Sequence, residues 1–281
     1  MCRANKSESK NWFDFSMTSA WRKTPPRNPA SDHKVNDLIG FGPRHFAFDW
    51  MHVVDLGTAS HAVGNVFYDA VYVKQAGTPR PRALARVLDI LREHPACHGN
   101  VVGSLDLVNF TNPKSHGQHY PFLAHVKAAE VRGVIPGALQ VAIRFDDGSD
   151  QSKHSIKMME GLDQLYRIMH SADVVLTNEE HDEFAAASQV FLLEYTWLSN
   201  WAREQNLYRY SVVPKFHYLV HLVDSARACN PRFLWCYRGE DFVGRMSRLA
   251  HACLCGTPPF KVGHAMMAKY AVAMHLRLTR H

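Results

Sequence analysis

Apolar residues recur at helical spacing along most of the chain. Leu84, Val87, Leu88 and Leu91 follow the start signals Pro79 and Pro81, which predicts a helix over residues 80–92 that stops before Pro95. Ile156, Met159, Leu162, Leu165, Ile168 and Met169 form one stripe, and Phe184, Ser188, Phe191, Tyr195 and Leu198 form another. Two long amphipathic helices are expected there, the second opened by a capping box of Thr177 and Glu180. The apolar run over residues 46–74 exceeds strand length and reads as a buried helix or helix pair, although Gly57 and Gly64 weaken it. Residues 124–144 read as two helical pieces parted near Gly133 to Gly137, with a turn from Asp146 to Asp150. Three more helices are expected over 215–225, 240–255 and 261–277, punctuated by Asn230-Pro231 and Pro258-Pro259.

Between these helices the composition changes. Residues 1–36 are polar, broken by Pro25, Pro26 and Pro29, with isolated Trp12, Phe13, Phe15 and Trp21, and read as an extended arm left from an upstream region. Residues 94–120 are rich in Gly, Asn, Pro and His and should be loops around a short helix near Leu105 to Phe110. The expected organisation is an arm (1–45), a helical domain (46–210) and a C-terminal helical segment (211–281).

Lys and Arg number 32 against 26 Asp and Glu, a formal charge of +6, which favours polyanionic partners only mildly. Six cysteines without an apolar leader argue for a reduced, intracellular protein, and no run is long and apolar enough for a membrane span. Homo-oligomers stay open.

Three constellations carry candidate chemistry. Asp49 and His52 stand three apart, on one helical face. His217 and His221 stand four apart, with Asp224 continuing that face, a spacing that allows zinc and hence a histidine-based metallohydrolase; Tyr218 occupies the place of a metalloprotease glutamate. Glu240 opens a helix whose stripe of Phe242, Met246, Leu249 and Cys253 should be buried, leaving Glu240, Gly244, Ser247 and His251 on a polar face. Acids at a helix N-terminus also complement its dipole, so a structural role for Glu240 stays open.

In this order the segments resemble the CACTA-type (En/Spm-like) cut-and-paste DNA transposases. Asp49-Trp50-Met51-His52, continued by Val53-Val54-Asp55-Leu56-Gly57, resembles that group's Asp-x-x-His motif; the Lys215-to-His221 block and Arg238-Gly239-Glu240-Asp241-Phe242 resemble the approach to its final catalytic Glu. The resemblance implies an RNase H-like core with a helical insertion over roughly residues 58–210. Fold class is then mainly α, a helical insertion domain with an incomplete RNase H-like α/β remnant. Glu240 becomes the third catalytic carboxylate and a magnesium ligand, beside Asp49 and His52. Lys215, Arg238, Arg245 and Arg248 become candidate DNA phosphate contacts. The first Asp has no counterpart, and Asp14 is only a faint match for the second. The complete enzyme would use Mg for strand cleavage and transfer; this chain alone is expected to hold none and to be inactive, a nuclear DNA-associated fragment. A non-catalytic DNA-binding or assembly protein of the same descent is the alternative.

Overall fold

The computed structural model describes residues 47–97, 105–110 and 120–279. The expected arm and its aspartates Asp14, Asp32 and Asp37 lie outside them. The chain divides into one compact unit up to Leu234 and a second from Trp235 onward. Among the described residues all regular structure is helical. The architecture is mainly α.

The first unit is built around α1 (residues 51–73), a helical segment kinked at Gly57. It runs through wide π-helical turns over Met51–Thr58, an α-helix over Ala59–Tyr68 and a second π stretch over Asp69–Val73. Gly57 leaves helical geometry (φ −135°, ψ −105°) and accommodates the bend. Trp50, Val54, Ala59, Ala62, Val63 and Val71 are fully buried, so the apolar run is an interior helix and not a strand. Helices α2 (Arg80–Glu93), α3 (Ala128–Arg144), α4 (Asp150–Ser171), α5 (Asn178–Glu204) and α6 (Pro214–Ser225) complete the unit. A 3-10 turn at Leu107–Asn109 is capped by Asp106.

Helices α4 and α5 form the principal pair. Met158, Met159, Leu162, Leu165 and Met169 on α4, and Phe184, Phe191, Tyr195 and Leu198 on α5, are fully buried. Thr177 Oγ1 accepts from Glu180 N at 3.1 Å while Glu180 Oε2 accepts from Thr177 N at 2.8 Å, closing the expected capping box. The two backbones approach closely at Gly161, where a Cβ would lie 2.8 Å from Phe191 N and 2.9 Å from Ala187 O. Gly161→Ala should therefore cost about 1–3 kcal/mol by overpacking, seen as a lower midpoint in thermal unfolding. An unchanged midpoint would show that the pair can part at no cost.

Helix α3 corrects one expectation. The chain does not break between Gly133 and Gly137 but stays helical from Ala128 to Arg144 with Pro136 inside. The glycine has another reason: a Cβ at Gly137 would meet Leu91 Cδ2 and Cys97 Sγ, each at 2.6 Å. It marks close packing on α2, not a stop.

The second unit contains α7 (Tyr237–Leu254) and α8 (Pro259–Leu278), joined through Gly256 at φ 71°. Phe242 meets Tyr270 edge-on at 6.3 Å, and Lys269 Nζ donates to Ala252 O at 3.1 Å. The expected buried stripe of α7 is a second correction, for Cys253 is buried while Phe242 is 48% exposed. Two short helices have too little surface to enclose a core of their own.

Candidate functional site

Asp49 lies immediately before α1, where the first amides of a helix lack partners. Its Oδ1 accepts from Met51 N at 3.3 Å and its Oδ2 from His52 N at 3.0 Å, and His52 Nδ1 bonds the same Oδ2. The Asp-x-x-His motif thus forms a helix cap. Phe48, just upstream, stacks on Tyr218 at 5.2 Å and on His221 at 5.9 Å. Lys215 Nζ donates to Leu56 O at 2.8 Å. Within the first unit, therefore, the segment bearing Asp49 and His52 packs against α6 with its Lys215, His217 and His221. Two of the three constellations meet, although His52 and His217 are 165 residues apart in sequence.

His217 is buried and its Nε2 lies 3.0 Å from His221 Nε2, so one ring donates and the other accepts. Asp224 is exposed at the far end of α6. Among the described residues no set of three ligand atoms mutually within 4.8 Å includes His217 or His221. The pair has the geometry of a hydrogen bond between imidazoles, and three protein ligands are the usual minimum for a catalytic zinc. Lys215 is half-buried, and burial pushes its ammonium below the ordinary lysine range.

Glu240, Arg238, Arg245 and Arg248 all belong to α7 and are exposed. Arg238, Arg245 and Arg248 follow one another at seven and three residues, which places them on one side of the helix over about 15 Å. Arg245 Nη2 pairs with Asp241 Oδ2 at 2.5 Å on that side. Glu240 stands in the first turn of α7, where its charge complements the helix dipole.

The magnesium implied by the transposase resemblance can be tested against the acids of the first unit. Asp49 accepts from two amides and an imidazole, Asp55 accepts from Tyr166 Oη, and Asp69 pairs with Arg209. Magnesium needs near-octahedral oxygen ligands, whereas these carboxylates have donor sets built of protein N–H and O–H groups. Asp55 and Asp69, buried among these protein donors, do not fit such a site.

The most elaborate polar arrangement was not singled out by motif. Asp69 Oδ1 accepts from Arg209 Nη1 at 2.7 Å, and its Oδ2 accepts from Arg209 Nη2 at 2.7 Å, from Gln151 Nε2 at 2.9 Å and from Tyr210 Oη at 2.9 Å. Asn65 Oδ1 accepts from Arg209 Nε at 2.9 Å and Tyr210 N at 3.1 Å. The guanidinium also lies over the Tyr68 ring at 4.6 Å. Asn65, Asp69, Gln151, Arg209 and Tyr210 are all buried. Burial of Arg209 would favour its neutral form, but Asp69 and then Tyr210 more than offset this and hold it charged. Burial, reinforced by Asp69, pushes the Tyr210 phenol well up. A cavity of about 20 Å³ beside Asp69, Lys74, Gln151 and Ser152 has room for about one water. This network is structural. Its sequence signal is Asn65 and Asp69, four apart inside an otherwise apolar run, since buried polar groups require partners.

No helix among the described residues is long and apolar enough to cross a membrane. The chain matches no protein-family model, no curated protein and no solved structure.

Proposed function

We propose that this chain is a transposase-like helical protein that associates with DNA through α7 and does not cut it. One observation carries the reading: positive charge is concentrated in the second unit. Residues 235–281 hold seven Lys and Arg against only Glu240 and Asp241, a net +5 out of the chain's +6. Beyond Asp241 there is no acid at all. Such a segment attracts phosphates by releasing their counterions, and Arg238, Arg245 and Arg248 present three guanidiniums along one exposed helical side.

Descent from a CACTA-type, RNase H-like enzyme rests on the motif order around Asp49, His52, Lys215 and Glu240, and a nuclear location goes with it. The Mg-dependent cleavage of the complete enzyme belongs to that ancestor. Here Asp49 and His52 close the first turn of α1, and Glu240 complements the N-terminus of α7.

The expected result is salt-dependent binding of the full chain to a labelled DNA duplex, followed by fluorescence anisotropy. Replacing Arg238, Arg245 and Arg248 together by alanine should reduce the slope of log affinity against log salt by about 2 to 3. No Mg-dependent nicking should be seen, and Glu240→Gln should bind DNA unchanged. Nicking that disappears in Glu240→Gln would overturn the non-catalytic reading; an unchanged salt slope in the arginine variant would remove α7 as the contact.

A further inference from the structure

We draw no further inference here: the strongest candidate, the His217–His221 imidazole pair on α6, brings together two ligand nitrogens with no third ligand atom beside them among the described residues and belongs to the site already described.

Discussion

Replacing Asp69 by alanine should cost about 3–5 kcal/mol of folding stability, the usual penalty for orphaning a buried charge. The carboxylate is 6% exposed and faces both terminal nitrogens of Arg209, itself 6% exposed. Without it the guanidinium keeps Asn65 and the Tyr68 ring but has no counter-charge, and Gln151 Nε2 and Tyr210 Oη lose an acceptor. Tyr210 would also lose one reason for its left-handed backbone, φ 52°, a conformation that costs a non-glycine residue about 1–3 kcal/mol. Arg209→Met should be similarly damaging, since it leaves Asp69 buried and charged. The double variant Asp69→Leu/Arg209→Met should cost far less than the two single losses together, because neither charge then remains to be desolvated. Urea unfolding of all four proteins decides the matter. Additive losses would mean that the two residues act separately and that the pair is not the unit of stability.

The same pair shows where sequence reading runs out. Periodicity identifies α4 and α5 because their stripes repeat within one helix, and Thr177 with Glu180 identifies an end because capping is local. Asp69 and Arg209 lie 140 residues apart, so no local period connects them; only the polarity of Asn65 and Asp69 inside an apolar run gives them away. Gly137 misleads for a related reason. A glycine that admits a neighbouring helix looks the same in sequence as one that ends its own.

The motif around Asp49 and His52 is legible as a pattern but ambiguous as chemistry. An acid three residues before a hydrogen-bonding side chain is also the form of a helix cap, and the structure uses it so. In α7 the helical period of Phe242, Met246, Leu249 and Cys253 is read correctly, while their burial is not. Burial depends on how many neighbours a unit has, and a stripe does not report that. The concentration of charge beyond Asp241 was fully present in the sequence; it gains meaning only when the boundary after Leu234 is known.

Acidification should act on a further group, the half-buried His61. His61 sits between Phe122 at 5.5 Å and Phe216 at 6.4 Å, and its buried Nδ1 has no hydrogen-bond partner. Burial, with the nearby Lys215 charge adding to it, lowers the imidazole pKa from 6.5 to about 4. Above pH 6.5 the ring is neutral in both folded and unfolded chains and has no effect on their balance. As the pH falls toward 4 the unfolded chain takes up the proton first, so stability is lost through that window. The shift amounts to about 3 kcal/mol between neutral pH and pH 4. His170, lowered by burial and then by Arg232 and Arg132, acts in the same direction, so His61 must be isolated by difference. His61→Leu keeps the apolar contacts and removes the titration. Unfolding free energies of the two proteins, measured in urea at pH 7.5 and pH 4, should diverge by about 3 kcal/mol, with the native protein losing more. Parallel losses would show that protonated His61 finds water or an acceptor in the folded chain, and that acid acts elsewhere.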